Sequence, residues 1–298
     1  MNKKNLSTVF SYILALFLAI TIFAGCMCDF AYKTVCDPEM LVTVADSCGY
    51  TSGLHEEIVY KWENLVSVTG IPDTDPFVQI VTQERVEESA LSYLRNAYTG
   101  TAEIETQAIA DELRNMVHEY AYGNNTYETP EAELDRNIEN LVSACVNEYT
   151  NSIRVPMLPK LLSALSKLAP VLKNGPIICV AFSSLLIVFL FFLQNKRADV
   201  LFYFAVSTLA NAVLLLGTSW LAMRYRVAER LPIAISALRT LAVSYVNCLF
   251  EKLLTYGQAF LLAAAAALVL HIVALILVKV FKKKPAVCSD ELCGNEDI

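Results

Sequence analysis

The sequence predicts an all-α integral membrane protein, with about four transmembrane helices and an extracytoplasmic α-helical bundle domain. Three observations predict it. Ile177–Leu193 is a run of 17 residues without a charge. With its polar flanks, and at about 1.5 Å rise per residue, it is long enough to cross a bilayer core of roughly 30 Å. Hydrophobic residues make up 55% of the 298, more than a water-soluble domain of that size carries. Charge is also unevenly spread. Residues 31–175 hold 22 acidic and 10 basic side chains, net −12, and the rest holds 8 acidic and 13 basic, net +5. Basic residues at the ends of apolar segments are a membrane pattern, and without a basic stripe to neutralise phosphates the chain is not expected to bind nucleic acid.

Residues 1–30 form the first apolar segment. Lys3 and Lys4 precede the run Val9–Ala24, which reads either as an uncleaved first span (a signal anchor) or as a signal peptide. For the second reading, Phe23-Ala24-Gly25-Cys26 resembles a bacterial lipobox, which implies lipid attachment at Cys26; Phe23 departs from the aliphatic residue expected at −3. Either way, the chain beyond residue 30 lies outside the cytoplasm. There Cys36 and Cys48 can close a short disulfide loop, with free thiols as the alternative.

Residues 31–156 are the extracytoplasmic helical domain. Ile58, Trp62, Leu65 and Thr69 keep helical spacing up to Gly70-Ile71-Pro72. Val86, Ala90, Leu94 and Ala97 mark a second helix, closed by Thr99-Gly100. Ile109, Leu113, Met116 and Tyr120 mark a third, ending at Gly123. A fourth opens at Thr129-Pro130, an N-cap followed by proline with acids in the first turn, and its stripe is Leu134, Ile138, Leu141, Cys145 and Tyr149. Each stripe is one face of an amphipathic helix, as packing into a bundle requires.

Residues 157–175 read as a juxtamembrane helix, lying on the bilayer surface or packed under the domain and interrupted at Pro170 and at Gly175-Pro176; its one-sided leucines are expected to fill the underside of the bundle, with a partner helix as the alternative. Residues 176–222 form a transmembrane hairpin, residues 223–257 an outer amphipathic helix, residues 258–281 the last span and residues 282–298 a cytoplasmic tail. Lys3, Lys4, Lys196, Arg197, Lys279 and Lys282–Lys284 then share one side, which the positive-inside rule puts in the cytoplasm together with both termini. Leu231–Tyr256 carries a polar stripe from Ser236 through Thr240, Ser244, Asn247 and Glu251 to Thr255. An interfacial helix meeting lipid headgroups fits it, as does a helix covering the outer domain. A fifth span would bury Arg239 in the membrane.

Catalytic signatures are weak. His55 and His118 lack zinc spacing, and the Asp73–Asp75 stretch is too short for a calcium loop. Phosphate-binding glycine loops and a nucleophile elbow do not occur. Asn124-Asn125-Thr126 is a formal glycosylation sequon, and Cys288 and Cys293 make half a metal site in the tail. Asn211 lies within the predicted third span and His271 within the fourth; hydrogen-bonded packing between helices is the expected role, with pairing across the bundle or lining a path as the alternative. No cofactor is expected, and neither is enzymatic activity.

The order of one span, an outer domain and three spans resembles that of permeases of the cell-division and macrolide-export type. The resemblance implies a subunit of a transport complex. Such permeases meet their ATPase through a cytoplasmic element between the second and third spans, and here that loop is only Gln194–Asp199. The leading expectation is therefore a non-enzymatic multi-pass protein of the cell membrane, in contact with membrane lipid. Its acidic outer domain binds or scaffolds another envelope protein.

Overall fold

A computed structural model describes residues 3–71, 73–123, 130–194 and 198–282. Among these residues the chain is helical, without strands. The helices are α1 (Lys3–Thr34), α2 (Pro38–Ser47), α3 (Tyr50–Val68), α4 (Asp75–Val78), α5 (Gln83–Ala97), α6 (Gln107–Gly123), α7 (Glu131–Ile153), α8 (Leu158–Leu193), α9 (Ala198–Arg224) and α10 (Ser236–Lys282), with a 3₁₀ turn at Ala228–Arg230. Among the described residues, four helical stretches are long and apolar enough to cross a membrane: Thr8–Thr34, Glu131–Leu193, Asp199–Arg224 and Ser236–Lys279. The chain divides into two compact units. The first comprises Met1–Met27, Gly175–Thr218 and Leu253–Ile298, the second Cys28–Asn174 and Ser219–Lys252.

The second unit is built on α3, α5, α6 and α7. Leu54, Ile58, Trp62 and Val66 recur on one face of α3 and are buried against Val86, Ala90 and Leu94 of α5, Leu113 of α6, and Ile138 and Cys145 of α7. Most members of the expected stripes are buried, but Leu65, Met116, Tyr120 and Leu134 are half-buried and Thr69 is exposed, Val66 taking the buried place at the end of α3. Side-chain polar atoms within this core reach backbone carbonyls, which offsets the cost of burying them. Trp62 Nε1 donates to Cys145 O at 2.9 Å. Tyr93 Oη donates to Val155 O at 3.0 Å and accepts from Val155 N at 3.1 Å. Asp37 caps α2 by accepting from Glu39 N, ahead of Pro38 in the first turn, and Thr82 caps α5 by accepting from Arg85 N. Gly70, at φ +82°, takes the left-handed conformation that ends α3.

Several boundaries differ from the sequence reading. Pro130 itself is the N-cap of α7, so Glu131 and not the proline opens the helix; Thr129 lies outside the described residues, as does the sequon. Helix α8 runs unbroken through Pro170 and Pro176. Each proline removes one i→i−4 hydrogen bond without ending the helix, a cost that an otherwise strongly apolar helix tolerates. Helix α10 begins at Ser236 and continues to Lys282 as one element, where the sequence suggested two. Ala237 and Leu241, at its start, are buried in the core of the second unit, with Ala237 Cβ 3.4 Å from where a Cβ on Gly53 would stand. The polar stripe members Ser236, Thr240 and Glu251 face outward.

In the first unit, Ala15 and Leu18 of α1, Leu186 and Leu190 of α8, and Val200 and Tyr203 of α9 form a small core. Most other large apolar side chains of this unit point outward, among them Phe17, Ile178, Phe192 and Leu262.

Candidate functional site

Two places in the molecule concentrate chemistry, one in each unit. In the first unit, polar side chains form a seam between α1, α8 and α9. Ser207 Oγ donates to Ala15 O at 2.8 Å, and one turn along both helices Asn211 Nδ2 donates to Ala19 O at 3.1 Å. Thr21 and Ser183 share a hydroxyl hydrogen bond of 3.0 Å, and Gln194 Nε2 donates to Ser11 Oγ at 2.6 Å. A Cβ added to Gly25 would stand 2.9 Å from Cys179 Cβ, so α1 and α8 approach closely only because residue 25 is glycine. Asn211 thus sits among hydrogen-bonded partners in the packing. The His271 ring centroid stands 5.7 Å from that of Phe202. Ser207, Thr21, Ser183 and Gln194 were missed in the sequence because single hydroxyls and amides in apolar runs are common; the i, i+4 pair Ser207 and Asn211 was the available signal.

In the second unit a cavity of about 240 Å³ opens where the end of α3 meets α6 and α7. Its wall is apolar: Ile71, Val117, Tyr120, Leu134, Ile138 and Leu141, with Asn137 and Thr69 as polar members. Arg114 joins α6 to α7 by paired contacts of Nε and Nη2 with the Glu139 carboxylate, and Tyr122 Oη donates to Asp135 at 3.0 Å. Glu119, Glu131 and Glu133 are exposed on the same two helices and form no ion pair among the described residues. An apolar recess of this kind can seat an apolar side chain; its lining offers no carboxylate, thiol or imidazole.

The cysteines fall in different settings. Cys26 is buried within α1. Cys36 Sγ donates to Leu165 O at 3.6 Å, and burial pushes its thiol pKa up. Cys48 Sγ donates to Ala45 O at 3.7 Å. The two thiols thus turn to different carbonyls, and both are reduced in this structure. Burial likewise raises the Tyr50, Tyr93 and Tyr98 phenols, whereas Arg95, hydrogen-bonded to Glu39 at 2.7 Å, holds that carboxyl below the usual carboxylate range. No group of three or more His, Cys, Asp or Glu among the described residues could hold a metal ion. No family model, no curated protein and no solved structure matches the chain.

Proposed function

We propose that the chain is a multi-pass membrane protein without enzymatic activity, whose second unit lies outside the cytoplasm and binds or scaffolds another protein of the cell envelope. In this reading α1, α8, α9 and α10 supply the four spans. The lysines near the first and last spans lie in the cytoplasm, by the positive-inside rule.

The observation that carries the reading is the cavity where the end of α3 meets α6 and α7, lined mainly by apolar side chains with Thr69 and Asn137 among them. Concave apolar recesses with a polar rim are the usual seats of interface anchor residues. The seam of the first unit supports the same reading from the other side, since its polar groups are engaged in helix-to-helix hydrogen bonds.

Crosslinking in intact cells, followed by affinity purification and mass spectrometry, tests it. Crosslinks from Lys33 or Lys61 to envelope proteins, lost in a variant with Leu134→Glu at the half-buried cavity wall whose helical signal and melting are unchanged, are expected. Crosslinks from Lys196 or Lys279 to a cytoplasmic ATPase would overturn the reading and make the protein a transport subunit.

A further inference from the structure

Positive charge in the second unit gathers between the end of α9 and the start of α10. Arg224, Arg226, Arg230 and Arg239 are all exposed there, and Glu229 is the one carboxylate among them, so the stretch is net +3 whereas residues 31–175 are net −12. Glu229 draws three of the arginines together. Its carboxylate pairs with Arg226 Nη1 at 3.4 Å, its carbonyl oxygen accepts from Arg239 Nη2 at 3.0 Å, and Arg230 is its neighbour in the chain. Arg224 and Arg230 form no ion pair among the described residues, unlike Arg85, Arg95 and Arg114, each of which meets a carboxylate of another helix. Large apolar side chains are interleaved with the charges. Trp220 is 61% and Tyr225 59% exposed, and Val227 and Ile235 are exposed as well.

Arg226 stands where an arginine is costly. Helix α9 ends in a Schellman turn, in which Val227 N donates to Ala222 O and Arg226 N to Met223 O, both at 3.1 Å. The turn sets Arg226 at φ +49°, a left-handed conformation that glycine takes without strain and an L side chain takes at a cost. Glycine would suit the turn better, so the turn alone does not account for an arginine there.

We propose that this turn binds anionic phospholipid headgroups of the outer leaflet, its guanidiniums on the phosphates and Trp220 and Tyr225 seated at headgroup level. The inference rests on the membrane reading proposed above, in which α9 is a span and Trp220–Arg224 its outer end. Guanidinium forks match phosphate oxygens, tryptophan and tyrosine favour the membrane–water boundary, and basic clusters beside a span attract anionic lipid. Arginines on the outer side have no topological use, since the positive-inside rule places basic residues in the cytoplasm. An acidic protein surface would match the charges and leave Trp220, Tyr225 and Val227 unmatched. A headgroup layer offers phosphate and hydrocarbon together. Ala237 and Leu241 bury the start of α10 in the core, so headgroup contact falls to the turn ahead of that helix.

The test uses the full chain in phosphatidylcholine vesicles containing a minor fraction of dibrominated phosphatidylglycerol or, in parallel, of dibrominated phosphatidylcholine. Bromine quenches tryptophan on contact, and the chain has two tryptophans, Trp220 exposed and Trp62 fully buried in the core of the second unit. Quenching is therefore read from Trp220, and Trp220→Phe should abolish it. At equal fraction the anionic lipid should be preferred on the order of tenfold, and each arginine removed should lower the preference about fivefold. R226G should lower it while leaving melting in neutral detergent unchanged or raised, because glycine relieves the turn. R224Q/R230Q, which breaks no ion pair, should bring the two lipids to parity. Equal quenching by both lipids in the native chain, or a preference that survives R226G and R224Q/R230Q, would overturn the site. So would absence of quenching by either lipid in a chain that stays with the vesicles. Release of the chain from native membranes by alkaline carbonate would instead sink the membrane reading, and the two failures are thereby distinguished.

Discussion

The two units solve the same packing problem with opposite materials. The second unit buries large side chains, Trp62, Tyr50, Tyr93 and Tyr149 among them, and turns its charges outward. The first unit keeps its large apolar side chains outside and draws its helices together with glycine, alanine and hydrogen-bonded serine, threonine and asparagine. Water rewards the first arrangement, because apolar area removed from it stabilises at roughly 25 cal/mol per Å². Hydrocarbon gives no such reward, so close backbone approach and interhelical hydrogen bonds have to hold helices together. The contrast is what the proposed membrane reading requires, with lipid around the first unit and water around the second.

The largest effect expected from breaking this contrast is in the second unit. Trp62→Ala removes the largest fully buried side chain and its bond to Cys145 O, and should cost about 3–5 kcal/mol. The melting transition of the second unit should drop while the helical signal of the first unit is kept. Gly25→Val tests the other half. The added side chain meets Cys179 at a distance no Cβ tolerates, and overpacking of this kind costs about 1–3 kcal/mol, read as lost thermal stability in detergent.

Alkaline titration separates the two chemistries further. The Tyr50 phenol, fully buried, has its pKa raised by desolvation. Below the unfolded value of about 10 both states are protonated and the full stability is present; above it the unfolded state ionises first, so stability falls as pH rises towards the folded pKa. A loss of about 1.4 kcal/mol per pH unit above pH ~10 is expected for this phenol, and Tyr50→Phe should flatten the slope. The smallest effect belongs to the seam: Asn211→Leu removes one interhelical hydrogen bond, worth about 0.6 kcal/mol among membrane helices. A cost of several kcal/mol there would mean that the seam does more than pack.

Much of the helix pattern was legible in the sequence because burial and periodicity report the same thing. Ile58 and Trp62, or Leu134 and Ile138, repeat at helical spacing since one face must leave water. Helix α2 was legible in principle, from Asp37-Pro38 followed by buried Met40, Leu41 and Val44, but the flanking cysteines suggested a disulfide loop instead. Pro170 and Pro176 argued for interruptions that α8 does not contain, because a local propensity cannot weigh the rest of a long helix. The cavity was not legible at all. It arises where the end of α3 meets two helices far along the chain, and no single stretch encodes such a junction. The carbonyl partners of Ser207 and Asn211, 192 residues away in each case, are invisible for the same reason.

The most direct test of the central claim labels lysines with a membrane-impermeant amine reagent, in intact cells and again after permeabilisation. Lys33 and Lys61 of the second unit should be modified in intact cells, and Lys279 only once the membrane is opened. Labelling of Lys279 in intact cells, or protection of Lys33 and Lys61 until permeabilisation, would contradict the proposed arrangement and place the acidic unit in the cytoplasm.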